Sequence, residues 1–344
     1  MYTPYMNRIA ISLLLLTGSL WAQSGNLKIY WIDVEGGGST LIVSPSGQSL
    51  LVDTGNPTPD DRDAKRIYAA TQQAGLKKID YLLLTHYHGD HAGGVPALAK
   101  MIPIEHFLDH GDSVEGENHP SSGRPWMAYK ALAAGKRTIM KPGDKLPIKG
   151  LEAVVVSSNA QLIGNAINKG GPNPLCAGAE TPKTDTTENE RSVGFLLTYG
   201  KFKFLDLGDL TRDMEMQLAC PVNKLGTVTL FQATHHGFVN DNSGTPAHVL
   251  ALKPQVVIVN NGPTKGWQNS AWDTVQKIQG LEDIWQIHKA MGPNHDHNID
   301  EQRISNLEPT EQCKGLGIQV SASKDGKFTV TNERNHFSKT YTAR

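Results

Sequence analysis

The run Thr85-His86-Tyr87-His88-Gly89-Asp90-His91 leaves this chain fewer structural choices than any other segment. Three of its 13 histidines fall within six positions, with a carboxylate among them. They follow Ile79-Asp-Tyr-Leu-Leu-Leu84, a short and nearly continuous apolar run of the kind expected for a strand buried on both faces. Side chains two residues apart, His86 and His88, can face one ion, while Asp90 and His91 turn toward a second. Imidazole nitrogen with carboxylate oxygen favours Zn2+, with Mn2+ or Fe as alternatives, and the lack of a nearby cysteine disfavours a structural thiolate site. Gly89, Gly93 and Gly94 are expected to let the backbone turn tightly and to leave room for ligand and substrate.

Two later runs repeat the pattern of an apolar strand that ends in donor side chains. Phe204-Leu-Asp-Leu-Gly208-Asp209 ends in a carboxylate able to bridge two cations held roughly 3.5–4 Å apart. Alone it would carry little weight, since an Asp after a strand is more often a turn or cap residue. Leu230-Phe-Gln-Ala-Thr-His235-His236-Gly237 adds two imidazoles. The three runs support one another because each puts its donors at the end of a strand.

The remaining pattern predicts a mixed α/β chain. Leu27–Asp33, Thr40–Ser44 and Ser49–Asp53 read as a meander of antiparallel strands, and residues 60–74 show helical spacing closed by Gly75. A helix is expected from Val95 to Lys100. In the second half, strands are expected near Ala153–Ser157, Ser192–Thr198, Phe202–Asp206, Val228–Phe231, Gln255–Val259 and Ile284–Ile287. Helices are expected from Arg212 and around Ser270–Gln279, and a β-like tail over Gly317–Thr331. Two mixed sheets covered by helices, αββα, satisfy that order. No tandem repeat stands out, so a single domain over residues 23–344 is expected, with a β-rich extension from about residue 300. Residues 164–190, rich in Gly, Pro, Asn and Thr, read as a long surface excursion of the kind that is commonly functional or mobile.

At the N-terminus, Arg8 precedes the apolar run Ile9–Leu16 and the small-residue stretch ending at Ala22, a signal-peptide pattern over residues 1–22. The run falls short of the roughly 20 apolar residues a spanning helix needs, and no later run is longer. Export to a periplasmic or extracellular location, with a mature chain free of membrane spans, is the expectation; the alternative is an uncleaved anchor. Loss of residues 1–22 removes only Arg8, leaving 32 Lys+Arg against 34 Asp+Glu, a formal charge of −2. That balance gives no electrostatic argument for nucleic acid as partner. Cys176, Cys220 and Cys313 allow one disulfide and one free thiol in an oxidising compartment, with the pairing open. Partly buried structural cysteines are the equal alternative.

Taken in order, Asp33-x-x-x-Gly37, Val52-Asp53-Thr-Gly55, Thr85-His-x-His-x-Asp-His-Ala-Gly-Gly94, Gly208-Asp209 and His235-His-Gly237 resemble the metallo-β-lactamase superfamily. Within it, Glu188-Asn189-x-x-Ser192, the Gly-Asp and the His-His-Gly look like the extracellular hydrolase domain of DNA-uptake competence proteins, the ComEC type. The resemblance spans about residues 27–261. It implies that His86 and His88 serve one metal and Asp90 and His91 the other, that Asp209 bridges, and that His235 or His236 completes the second site while its neighbour contacts substrate. Asp53 would steady the motif loop. The pattern departs from the lactamases and glyoxalases in lacking a further histidine before the bridging Asp. Asn189-Glu-Arg-Ser192 stands there instead, which makes Asn189 a candidate, and His110 a second one from a neighbouring strand end. His288, His295 and His297 lie in a segment that could roof the cleft, though a solvent-exposed role is the expectation for each.

Two cations sharing a water lower its pKa toward neutrality, so hydroxide rather than a side chain is the expected nucleophile. Asp90 would orient it, and an imidazole of the His235-His236 pair would serve the leaving group. The subgroup resemblance implies a phosphodiester or related ester as substrate. A lactam or lactone hydrolase is the runner-up, and a metal-binding module without turnover the third reading.

Overall fold

The computed structural model describes residues 25–292 and 296–344. The expected signal sequence and His295 lie outside the described residues.

The first half opens with the antiparallel meander β1 (Leu27–Trp31), β2 (Thr40–Val43) and β3 (Ser49–Val52). Helix α1 (Arg62–Gln73) buries Asp63, Ala64, Ile67 and Thr71, which share one face at helical spacing, and leads into β4 (Ile79–Leu83), parallel to β3. The turn α2 (Gly89–Ala92) and helix α3 (Val95–Met101) follow, then β5 (Ile104–Asp109), α4 (Gly123–Ala133) and β6 (Arg137–Ile139), with β4, β5 and β6 mutually parallel.

The second half supplies β7 (Glu152–Ser158), β8 (Gln161–Leu162), β9 (Gly171–Pro172), β10 (Gly194–Tyr199) and β11 (Phe202–Asp206). After α5 (Arg212–Ala219) come β12 (Val222–Asn223), β13 (Leu230–Gln232), the irregular turn α6 (His235–Phe238) and α7 (Pro246–Leu252). Next are β14 (Val256–Val259), α8 (Asn269–Val275), β15 (Asp283–His288) and β16 (Ile304–Asn306), and the chain closes on β17 (Ile318–Ala322), β18 (Lys327–Asn332) and β19 (Ser338–Thr342).

Two large mixed sheets result. One runs β19-β18-β17-β1-β2-β3-β4-β5-β6 and the other β16-β15-β14-β13-β11-β10-β7-β8, while β9 and β12 pair by themselves. Apolar side chains of both sheets, among them Trp31, Ile42, Leu83, Val155, Phe204 and Trp285, form the core between them. The outer face of the first sheet is covered by α1, α3 and α4 through Ile67, Leu98, Trp126 and Tyr129. The outer face of the second is covered by α5, α7 and α8 through Met214, Leu218, Val249, Leu252 and Ala271. This is the αββα arrangement expected from the order of elements. The β-rich tail adds β17, β18 and β19 to the first sheet by pairing β17 antiparallel with β1.

Cys176 and Cys220 form a disulfide and Cys313 is free, which fixes the pairing that spacing left open. The bond ties the excursion over residues 164–190, which contains Cys176, to the end of α5 at Cys220. That stretch is tied down further by the β9–β12 pairing and by Asn173 Nδ2, which donates to the carbonyls of Ala219 and Ala247. Among the described residues no helix is long and apolar enough to cross a membrane.

Candidate metal centre

The parallel strands β3 and β4 of one sheet and β11, β13 and β14 of the other end on the same side, so the loops that follow them meet over the seam between the sheets. The loop after β4 carries His86, His88, Asp90 and His91, the loop after β11 carries Asp209, and the loop after β13 carries His235 and His236. They converge on one oxygen. Asp209 Oδ2 lies 3.9 Å from His86 Nε2, 3.2 Å from His91 Nε2, 3.3 Å from His235 Nε2 and 3.5 Å from His236 Nε2. On one side of it His86 Nε2 and His88 Nδ1 face each other at 3.1 Å. On the other, donor atoms of Asp90, His91, Asp209 and His236 all lie within 4.8 Å of one another. His236 stands with that quartet, whereas His235 meets Asp209 from the mouth of the cleft, beside His88, Asn189 and Lys265.

Which ring nitrogen points inward follows from what the other one meets. His91 Nδ1 is 2.7 Å from Asp53 Oδ2, and because a carboxylate only accepts, the proton sits on Nδ1 and the Nε2 lone pair turns to the cluster. The Thr85 hydroxyl donates to the same Asp53 oxygen at 2.8 Å and lies 3.0 Å from His86 Nδ1. With its proton committed to Asp53, that hydroxyl accepts from His86 Nδ1, and His86 Nε2 is turned inward as well. Asp53 thus steadies the motif loop, and it does so by orienting two imidazoles.

The cost appears in the backbone. Asp53, His235 and His236 all lie in the left-handed region, with φ of 60°, 51° and 57°, where a non-glycine residue is strained by about 1–3 kcal/mol. Gly93 and Gly94 have ordinary helical φ of −67° and −78°, which corrects the expectation of a tight turn at these positions. Their role is close approach: a Cβ on Gly94 would stand 2.1 Å from Thr54 O and one on Gly93 2.3 Å from Pro57 Cδ, while one on Gly89 would make an ordinary contact with Ser121 O at 3.4 Å.

A second ring of polar residues holds the loops. His88 Nε2 is 3.4 Å from Glu115 Oε2, which also accepts from Ser122 Oγ at 2.6 Å and lies 2.9 Å from His119 Nδ1. Glu188 accepts from Ser113 Oγ and the Val114 N–H at 2.7 Å each and lies 3.0 Å from His110 Nε2. His110 is therefore not brought to the cluster; its inward nitrogen is taken by Glu188. Asn189 does reach the cleft, and its Oδ1 is buried without a hydrogen-bond partner. His288 lies in β15, fully buried, 3.0 Å from Asp33 Oδ2, and His297 stacks on Trp272 at a 9° interplanar angle. This corrects the expectation of solvent-exposed histidines there. Residue pattern alone missed Glu115, which follows no strand end, and Lys265, whose ammonium pairs with Asp90 Oδ2 from a loop 175 positions away in sequence.

Electrostatically the cluster is tightly coupled. Burial alone would raise Asp209, yet His235, His91 and His236 hold it well below the ordinary carboxylate range. Asp90 is held low against its burial by Lys265, His91 and His236. Burial drives His86 well below the usual imidazole value and His235 down to about 4. His91 goes the other way, because Asp209, Asp53 and Asp90 outweigh its burial.

Inward lone pairs at 3.1–3.2 Å from one another, two carboxylates held anionic, and no thiolate make a donor set that suits divalent cations with borderline preferences, Zn2+ foremost. A second group, Asp33, Glu35, His288 and Cys313, is also compact. Its Asp33 Oδ2 already meets Arg66 at 3.0 Å and Cys313 Sγ at 3.2 Å, Arg62 and Arg66 pair with Glu35, and burial beside Asp33 pushes the Cys313 thiol up to about 12. That group is an ion-pair network that ties β1 to β15 and α1.

Residues 33–161 match the family model of the metallo-β-lactamase superfamily. The chain is 24% identical over 249 residues to Recombination protein 2 of Haemophilus influenzae, covering 72% of this chain and 26% of that one. It is 40% identical over 67 residues to the atrochrysone carboxyl ACP thioesterase dmxR1 of a Cryptosporiopsis species, 20% of each chain. Among solved structures it is similar to the metallo-β-lactamase fold protein YhfI of Bacillus subtilis, at 13% identity and a TM-score of 0.48, covering 76% of this chain and 96% of that one. The chain spans only a fifth to a third of the length of the curated relatives it matches.

Proposed function

We propose that this chain is a metal-dependent hydrolase that holds two divalent ions, one through His86 and His88 and the other through Asp90, His91 and His236, with Asp209 shared between them. The convergence of the His86, His91 and His236 Nε2 atoms on Asp209 Oδ2 carries this reading. Ions so held supply Lewis acidity, acidifying a water and polarising the oxygen of a scissile bond. Asp53 and Thr85 keep His86 and His91 in the binding tautomer, and Glu115 steadies His88. His235, at the cleft mouth, is assigned to the leaving group, and Asn189 to the position where related enzymes carry a further histidine.

For the substrate we favour a phosphodiester or related anionic ester. The cleft measures about 420 Å3, and its lining includes a lysine, Lys265, beside Asp90. A cation there favours an anionic substrate over a neutral lactam or lactone. The local match to a thioesterase supports a neutral ester as the second reading. We also propose export: residues 1–22 read as a signal sequence, and the Cys176–Cys220 disulfide suits an oxidising compartment.

The test is turnover of bis(p-nitrophenyl) phosphate, nitrocefin, a lactone and an acyl thioester with Zn2+ or Mn2+, by the parent and by Asp90→Ala and Asp209→Ala. Both substitutions should abolish hydrolysis of the diester while circular dichroism stays that of the folded chain. Undiminished turnover in either variant overturns the site. Activity on none of the four substrates favours a metal-binding module instead.

A further inference from the structure

Strands β11, β13 and β14 run parallel, and their far ends build a second concavity across the sheet from Asp209. Lys203 at the start of β11, Thr227 before β13 and Lys253 before β14 line a cavity of about 660 Å3, which continues into a smaller one of about 180 Å3. Its wall also carries Lys169 and Lys277, and no Asp or Glu side chain lines either part. Arg344 lies at the rim, with its guanidinium held by Glu282 and the Gly280 carbonyl. The four lysines form no ion pair among the described residues.

In a chain whose formal net charge is −1, four uncompensated ammonium groups facing one hollow is not an average of the composition. Like charges gathered in a concavity repel one another, and low-dielectric walls focus their field on whatever enters. The effect is visible at Lys203, which burial and the nearby Lys169 shift below its ordinary value. An arrangement of this kind is relieved by an anion.

The cavity is also preformed. One wall is the Gly- and Asn-rich excursion singled out in the sequence, which takes no part in the metal centre at this end. Asn168 Nδ2 pins it by donating to Leu225 O and Thr227 O at 2.9 and 2.6 Å, β9 pairs with β12, and the Cys176–Cys220 disulfide ties it to the end of α5. The volume is that of a small-molecule site, about 300–1,000 Å3, and the four lysines line one hollow.

We propose that this cavity, at the N-terminal ends of β11, β13 and β14, binds a small oligo-anion carrying two or more phosphate or sulfate groups, at a site separate from the metal centre. The lysines supply charge without the planar bidentate geometry of arginine, which suits several anionic groups on one compact ligand more than a single carboxylate.

The test is calorimetric titration of the full metal-loaded chain with inositol hexasulfate, which does not strip divalent ions, and with tripolyphosphate on the Asp209→Asn variant. One-to-one binding is expected with both. In Lys253→Gln/Lys277→Gln affinity should fall at least tenfold. Lys253→Arg/Lys277→Arg should restore it to within about threefold, and Asp209→Asn should leave hexasulfate binding unchanged. No binding, binding indifferent to the glutamine pair, or binding lost equally in Asp209→Asn overturns the proposal. A 30-nucleotide single strand that binds through the same lysines and is not displaced by the hexasulfate also overturns it, in favour of a polymer-docking surface.

Discussion

Asp53 and His91 stand 2.7 Å apart, carboxylate oxygen to Nδ1, and through the Thr85 hydroxyl the same oxygen reaches His86. One side chain that binds no metal therefore sets the tautomer of two that are placed to do so. Substituting Asp53→Ala leaves the Thr85 N–H, the Thr85 hydroxyl and His91 Nδ1–H buried without an acceptor, at about 1–3 kcal/mol each. Loss of such a partner typically lowers metal affinity by about 10–100-fold. Competition against a chromogenic chelator measures the affinity and thermal unfolding of the metal-free protein the stability. Parent-like affinity would mean that Asp53 does not orient the ligands.

The same pair makes a glycine indispensable. A Cβ on Gly38 would lie 2.7 Å from His91 Nδ1 and 2.8 Å from Asp53 Oδ2. Because the crowding atoms are the functional ones, Gly38→Ala should part them and lower both metal affinity and turnover at least tenfold. Gly164→Ala, where an added Cβ meets nothing within 4 Å, should change neither. Equal behaviour of the two variants would show that the Asp53–His91 contact is dispensable.

His235 and His236 are adjacent in sequence yet occupy different places. His236 Nε2 lies 3.2 Å from His91 Nε2 and 3.4 Å from Asp90 Oδ2, within the donor quartet, while His235 lines the cleft. His236→Ala should lower the metal content by one ion per chain. His235→Ala should keep the parent stoichiometry and lose turnover. Plasma mass spectrometry on both variants decides it, and the reverse pattern would exchange their roles.

Much of this was legible in the residues. The meander, the parallel strand under the motif and the three donor-bearing strand ends follow from apolar runs and spacing, so the candidate donors could be gathered before their geometry was known. Strand β5 was legible only at its end, beside His110, because Glu105 and His106 interrupt its apolar pattern and Phe107 and Leu108, on opposite faces of the sheet, form too short a run. Lys265 and Glu115 escaped for another reason: each gains its role from a contact across the fold, with Asp90 and His88, which no local pattern encodes. His110 misled because a strand-end histidine beside a metal motif looks like a ligand until a buried carboxylate, Glu188, is found to occupy it. The disulfide is the same kind of case, since three cysteines fix no pairing until the chain brings two together.

Glu215 gives the fold a pH dependence of its own. It is fully buried; its Oε2 accepts the Thr245 N–H at 2.7 Å and the Thr234 hydroxyl stands beside it, but burial outweighs these bonds and pushes the carboxyl up to about 7. In the unfolded chain a glutamate titrates near about 4.3. The folded state thus binds the proton more tightly, so this group's stabilising contribution is fully present below about pH 4. It is lost as pH rises through about 7. Glu215→Gln fixes the neutral form. Since each tenfold difference in proton affinity is worth about 1.4 kcal/mol, this variant should be the more stable protein at pH 8 by on the order of 1–3 kcal/mol. The gap should close below about pH 5. Urea unfolding of the metal-free proteins at the two pH values reads this directly, and a difference independent of pH would place the proton elsewhere.

Lys265 decides between the anionic and neutral substrate readings. In the structure its ammonium pairs with Asp90, a carboxylate that a bound cation would claim, and the side chain is 37% exposed at the mouth of the cleft. Once Asp90 serves a metal, Lys265 is left as a cation facing whatever enters. Lys265→Met should therefore raise KM for bis(p-nitrophenyl) phosphate about three- to tenfold, which corresponds to a charge interaction of roughly 0.7–1.4 kcal/mol at a partly exposed position. Turnover at saturation should change little, and KM for the neutral p-nitrophenyl acetate should not move. A fall in kcat with KM unchanged would make Lys265 a partner of the reacting atoms, and an equal rise in KM for both esters would remove the charge argument for an anionic substrate.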